Sequence, residues 1–262
     1  MKYRLAEDAK PQLWLLLVAT IITIALWFIP FADYLVYPIR LFVTFIHESS
    51  HALVAFLTGG AVQSLTIASD GSGVVYSAPS GFFGAILTSS AGYLGTTAFG
   101  VLLLFLIRRS ISPNKVLMAC GALVAFVTAF FGILMPIFNI FSLQVGFSSL
   151  LFTTFCGAIL SAGLFALGKY ASLRTANFAV AFLAVQCLLN AFLDLKTLFF
   201  INAPLIGSDL QNDATNMANA TGVPGFVWVL IWIGISVVMI SVGLRVYAVS
   251  RKGSQTDLPF ED

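Results

Sequence analysis

The chain has 262 residues, of which 59% are hydrophobic and only 9% are charged. Soluble domains carry about 25% charged residues, so the composition excludes a large soluble core and predicts an integral membrane protein. The formal net charge of +2 is too small to indicate a nucleic-acid partner, and none is expected.

Apolar stretches long enough to cross a bilayer, which takes roughly 20 helical residues, recur along the chain. We predict an all-α polytopic membrane protein with about seven transmembrane helices, forming one integral membrane domain over residues 1–250. The segment 251–262 is polar and is expected to be a tail outside that domain. The predicted spans are 12–31, 36–57, 82–107, 116–137, 145–168, 176–201 and 224–248.

The second predicted span contains the only two histidines of the chain, His47 and His51, with Glu48 beside the first. Positions four apart on a helix share one face, so both imidazoles can bind one metal ion. The glutamate can reach the attacking water as a general base, which is the chemistry of an H-E-x-x-H motif. Ionisable residues inside a membrane are costly and usually mark function. The run therefore predicts a zinc hydrolase site within the membrane.

Two connections differ from the short loops elsewhere. Directly after the histidine helix, two β-prone runs at 62–67 and 74–76 flank Asp70-Gly71-Ser72-Gly73, a pattern typical of a β-hairpin. Such a hairpin could receive an unwound substrate by strand addition. The connection at 202–224 is long and polar, and a short helix is predicted there around 208–220.

A catalytic zinc takes three protein ligands, and the histidines supply two. The two other glutamates lie in terminal segments, and Asp213 lies in the polar connection. Asp194 is the aspartate well inside a predicted span, where an unpaired carboxylate is costly. We therefore predict Asp194 as the third ligand and Asp70 as the runner-up. A structural ion pair with Lys196, or a hydrogen bond to Asn190, is the alternative role for Asp194.

With these residues the chain resembles the site-2-protease-like intramembrane zinc metallopeptidases, in particular their compact branch without a PDZ domain. The resemblance implies Zn²⁺ bound by His47, His51 and Asp194, with Glu48 activating the water. It also implies a lipid bilayer environment and substrates that are themselves transmembrane helices. The usual Leu-Asp-Gly reads Leu193-Asp194-Leu195 here. The matching residues are His47-Glu48-Ser49-Ser50-His51-Ala52, Gly59-Gly60, Gly92, Gly95, Asn190, Leu193-Asp194 and the stretch from Ser208-Asp209 to Trp232.

The predicted catalytic residues are Glu48 as general base and Asn190, one helical turn before Asp194. Asn190 could hydrogen-bond the substrate backbone or the oxyanion, and interhelical packing is its alternative role. The alternative function is a catalytically inactive membrane protein that uses the same cluster as a structural or transport metal site. We expect a multi-pass protein of the cell (plasma) membrane. The N-terminal basic residues favour a cytoplasmic N-terminus, whereas the basic residues at 108–115, 169–174 and 251–252 favour the inverted orientation.

Overall fold

The structure, a computed structural model, describes residues 10–26, 28–109, 111–142, 144–202 and 212–248. The predicted tail at 251–262 and Asp209 lie outside the described residues. In chain order the elements are α1 (Lys10–Leu26), α2 (Ala32–Leu57), β1 (Ala61–Ile67), β2 (Gly73–Ala78), α3 (Gly81–Arg108), α4 (Pro113–Val127), a π-helical segment (Thr128–Leu134), α5 (Met135–Phe138), α6 (Phe147–Tyr170), α7 (Leu173–Asn202), α8 (Asp213–Thr221) and α9 (Gly225–Ala248).

Five of the described helical stretches are long and apolar enough to cross a membrane. One is the continuous stretch Pro113–Phe138, which comprises α4, the π-helical segment and α5; the other four are in α3, α6, α7 and α9. They match the third to seventh predicted spans and confirm a helical membrane protein. The number seven is not confirmed. Helix α1 has 17 described residues, fewer than the roughly 20 that a span takes. Helix α2 is longer, but Arg40, Glu48 and the two histidines make it less apolar.

Helix α3 is the centre of the helical packing, with α2, α7 and α9 against it. Its sequence is rich in small and hydroxyl residues, which allow neighbouring helices to approach closely in lipid. Polar side chains are among the contacts that join it to α9. The hydroxyls of Thr97 and Ser236 lie 3.3 Å apart, and the Trp232 indole N–H donates to the Ser90 hydroxyl over 3.0 Å. The packing brings α2, α7 and α9 around one helix.

The predicted hairpin is confirmed, since β1 and β2 pair antiparallel from Ala61↔Ala78 to Ile67↔Gly73. Strand β1 is largely buried, and Thr153 of α6 accepts a hydrogen bond of 2.7 Å from the Ile67 N–H. Strand β2 is more exposed. Among the described residues it has no strand partner besides β1. The backbone N–H of Val75 in β2 hydrogen-bonds Glu48 of α2.

The tip of the hairpin folds back onto the first half of α2. The Tyr37 hydroxyl donates to the Ser69 carbonyl over 2.7 Å, and the Thr44 hydroxyl donates to the Gly71 carbonyl over 2.9 Å. Gly71 has a φ of 84°, which favours glycine at this turn. These contacts hold β2 alongside the part of α2 that precedes His47.

Candidate metal centre

The two histidines point their Nε2 atoms at each other from successive turns of α2. The Nε2 atoms of His47 and His51 are 3.1 Å apart. Nδ1 of His51 lies 2.6 Å from the Thr88 carbonyl oxygen. Because a carbonyl can only accept, this contact places the ring proton on Nδ1 and leaves the Nε2 lone pair for a metal. The α3 backbone thus selects the imidazole tautomer that a metal requires.

Asp213 completes a group of three metal-binding side chains. Its Oδ2 lies 3.6 Å from Nε2 of His47 and 3.3 Å from Nε2 of His51. Among the described residues, these three side chains form the group of His, Cys, Asp and Glu donors that could hold a metal ion. Tetrahedral bonds of about 2.0–2.1 Å separate donor atoms by about 3.3 Å. The observed separations bracket that value, so the three residues fit a tetrahedral ion with a fourth position left over.

The ionised form of Asp213 is favoured at this position. Burial raises the pKa of its carboxyl, but when the imidazoles are protonated the charge of His51 and hydrogen bonds from both rings lower that pKa more, to well below the usual range. The carboxylate is therefore available as a ligand without first losing a proton.

Helix α8 carries Asp213 at its first residue because a capping box begins the helix there. The Asn212 side chain accepts from the Thr215 N–H over 3.0 Å, and the Thr215 hydroxyl accepts from the Asn212 N–H over 2.8 Å. Ala214 and Met217 are fully buried in the cluster that includes Tyr93 and Trp232. The start of α8, and with it Asp213, is thereby fixed against α3 and α9.

Helix α3 forms the floor of the site. A Cβ on Gly92 would overlap the Nε2 atoms of both histidines, so only glycine leaves them room. The next residue, Tyr93, packs edge-on against His47 with ring centroids 4.7 Å apart. Its other side stacks on Trp232 at 5.6 Å. Helix α3 therefore makes space for the imidazoles and orients one of them.

Glu48 is buried beneath the hairpin, beside the metal group. A Cβ on Gly73, the first residue of β2, would lie 2.5 Å from its Cγ and 2.7 Å from its Oε1. The absence of a side chain at residue 73 lets β2 close over the glutamate. Both residues line the same cavity as the histidines. The Glu48 carboxylate therefore lies beside both the metal group and β2, within reach of a water that a metal would activate.

One cavity of about 1000 Å³ joins these parts. Strand β2 and helices α2, α3, α7 and α8 contribute residues to its lining. Its polar lining includes Arg40, Asn190 and Asp194 besides the metal group. A site of this volume is large enough for several residues of an extended chain.

The structure places Asp213, and not Asp194, with the two histidines. Asp194 lies on α7 in the wall of the same cavity, within electrostatic reach of His47 and Arg40. The cost of a carboxylate in an apolar span predicts a partner for Asp194, but its side chain is exposed and lines the polar cavity. The role of Asp194 as a metal ligand stays a prediction that experiment must decide. The sequence signal for Asp213 was the capping pattern Asn212-x-x-Thr215 in the polar connection.

The other two predicted residues have local partners. Asp70 is exposed at the hairpin turn, where the hydroxyl and backbone N–H of Ser72 hydrogen-bond its carboxylate and lower its pKa. It does not join the metal group. Asn190 lines the cavity, and its amide nitrogen donates to the backbone carbonyl and side-chain oxygen of Gln186 at 2.9 and 3.1 Å.

Comparison with known proteins decides the family. A family model described as Peptidase M50B-like matches residues 16–243. The chain belongs to this family. It is thus an integral membrane protein of a metallopeptidase family, which confirms the resemblance to site-2-protease-like enzymes found in its motifs. No curated protein and no solved structure matches the chain.

Proposed function

We propose that this M50B-like protein is an intramembrane zinc metalloprotease that hydrolyses peptide bonds of membrane-spanning substrates. The observation that carries the proposal is the convergence of two imidazoles and one carboxylate, with donor atoms 3.1–3.6 Å apart, on a cavity that Glu48 also lines. Family membership supports the same conclusion. The donor set of two histidines and one carboxylate is typical of catalytic zinc.

In this mechanism His47, His51 and Asp213 hold the metal. Zinc bound there would supply Lewis-acid activation of a water molecule and of the scissile carbonyl. Glu48 accepts the proton of the attacking water and delivers it to the leaving nitrogen. Burial under Gly73 keeps the Glu48 carboxylate close to the metal group and away from bulk water.

The substrate binds as an added strand on the edge of β2 that does not pair with β1. An intact helix satisfies its own backbone groups and hides its peptide bonds, so a transmembrane substrate must unwind first. Backbone groups of β2 other than the Val75 N–H, which hydrogen-bonds Glu48, then replace the hydrogen bonds that the substrate loses. Residues 73–77 of β2 line the same cavity as the metal group, which supports binding of the substrate there.

The test compares the wild type with Glu48→Gln and His47→Ala. Each is purified and reconstituted in vesicles together with membrane proteins that serve as candidate substrates. Zinc content and new peptide termini are measured by mass spectrometry. We expect Glu48→Gln to keep zinc and lose cleavage, and His47→Ala to lose both. Cleavage by Glu48→Gln at the wild-type rate contradicts the general-base role. Zinc in the wild type without cleavage favours the alternative of a structural or transport metal site.

A further inference from the structure

A row of buried polar side chains connects α1 to the wall of the cavity. Thr23 of α1 and Gln186 of α7 are 2% and 6% exposed, and Asn190 follows on the cavity side. Helix α1 packs against α7. Buried polar groups in an apolar bundle are costly unless their hydrogen bonds are satisfied. The direction of each hydrogen bond in this row can be assigned from chemistry alone.

The Thr23 hydroxyl sets the orientation of Gln186. It donates its one hydrogen to the Ala19 carbonyl over 2.9 Å. Its oxygen must therefore accept in the 2.8 Å contact with Gln186, so that the donor is Nε2 of Gln186. The Oε1 atom of Gln186 consequently faces Asn190.

Gln186 in turn sets the orientation of Asn190. Nδ2 of Asn190 lies 2.9 Å from the backbone carbonyl oxygen of Gln186 and 3.1 Å from its Oε1. A reversed amide would place oxygen against both acceptors, which is repulsive. Both hydrogens of Nδ2 are thus used, and Oδ1 is the remaining polar atom of the side chain. Among the described residues, no donor reaches Oδ1.

We propose that Gln186 and Thr23 are positioning residues that make Asn190 an acceptor-only contact for a backbone N–H of the substrate. The inference rests on the proposed protease function. A strand added to β2 turns alternate backbone groups away from β2, and Asn190 lines the same cavity as β2. The assignment excludes Asn190 from the oxyanion role, because stabilising an oxyanion requires a donor.

The test measures binding to the purified, zinc-loaded full-length protein in detergent, so it needs no natural substrate. One probe is a peptidyl hydroxamate with two backbone amides, and the other is acetohydroxamic acid, which has no peptide extension. We expect Asn190→Leu to weaken the peptidyl probe about 2- to 12-fold, the range for one hydrogen bond, and to leave acetohydroxamic acid unchanged. N-methylation of the amide that Asn190 binds should weaken the probe in the wild type and have no further effect in Asn190→Leu.

The positioning role is tested in the same assay with Gln186→Met and Thr23→Val. We expect both variants to weaken binding of the peptidyl probe but not of acetohydroxamic acid. The effect of Thr23→Val should be the smaller one, because Gln186 then keeps its contact with Asn190 and loses only its hydrogen bond to Thr23. Thr20→Val is the matched control: its hydroxyl also bonds the carbonyl four residues earlier, over 2.9 Å, but touches no residue of the row. Gln186→Leu replaces Gln186→Met if the latter does not fold.

The outcomes separate this inference from the proposed function. Unchanged binding of the peptidyl probe to Asn190→Leu overturns the inference. Equal weakening of both hydroxamates also overturns it, because Asn190 would then act on the metal group. Failure of both hydroxamates to bind the zinc-loaded wild type contradicts the proposed function itself.

Discussion

The two sides of the metal group are built in different ways. On α2, the spacing of His47 and His51 follows from the pitch of one helix, and the Thr88 carbonyl fixes one ring. On the other side, Asp213 comes from α8, a helix of nine residues whose position depends on burial of Ala214 and Met217. The imidazole pair is thus preorganised locally, whereas the carboxylate is positioned by tertiary packing. Substitution of Asp213 should therefore remove the metal without moving the imidazoles of His47 and His51.

The largest expected effect decides between the two aspartates. We expect Asp213→Ala to lower zinc affinity by more than about 100-fold, since loss of an outer-shell partner alone costs about 10- to 100-fold. Asp194→Ala should keep zinc at wild-type stoichiometry, because Asp194 is not in the metal group. Zinc is measured by elemental analysis after dialysis against a chelator series. Loss of zinc in Asp194→Ala and not in Asp213→Ala would restore the ligand set predicted from the sequence.

The next-largest expected effect tests the imidazole pair of α2 through Gly92, the α3 residue that packs against both rings. Gly92→Ala places a methyl group where the two Nε2 atoms lie. We expect both rings to rotate away and zinc affinity to fall about 10- to 100-fold, as for a lost orienting contact. Gly234→Ala in α9 is the matched control, because a Cβ there meets no atom within 4 Å. Elemental analysis of both variants gives the comparison, and full zinc content in Gly92→Ala would contradict the close approach.

A smaller effect separates the general base from the metal. Gly73→Ala places a methyl group against the Glu48 side chain, which can move aside because it is flexible. We expect zinc to be retained and the cleavage rate to fall by up to about 100-fold, the cost of a misplacement of about 1 Å. Gly146→Ala is the control, since its Cβ would meet only the Ser148 hydroxyl at 3.7 Å. A joint loss of zinc and cleavage would show that the hairpin also supports the ligands.

The difference between local spacing and tertiary packing also explains which parts of the molecule the sequence could predict. The histidine pair, Glu48 and the hairpin depend on spacing within short segments, and the structure has all of them where they were predicted. Five of the seven predicted spans are confirmed for the same reason, since a long apolar run is a local property. The sequence does not indicate Asp213, because its approach to His47 depends on how α8 packs against α3 and α9. No periodicity within 202–224 carries that information.

The cost of a carboxylate in an apolar helix does not by itself identify the partner of Asp194. An aspartate in an apolar helix needs a polar partner or water, and metal ligation is one of several solutions. Here the α7 helix lines a wide polar cavity, so Asp194 is exposed to it rather than buried in lipid. Whether a span faces lipid or a cavity depends on its neighbours. A single sequence does not reveal those neighbours.

The smallest expected effect tests whether the β-hairpin is stabilised only by pairing of its own strands or also by contacts with α6. Thr153 of α6 accepts from the Ile67 N–H at 2.7 Å, a contact between residues far apart in the chain. Thr153→Val leaves that buried N–H without a partner, which should cost about 1–3 kcal/mol in the free energy of unfolding. Thr154→Val is the matched control, because the Thr154 hydroxyl bonds only the Leu150 carbonyl within its own helix. Thermal unfolding in detergent measures both variants. Equal stability would mean that pairing with β2 alone holds β1, whereas a loss confined to Thr153→Val would mean that the hairpin also depends on tertiary packing.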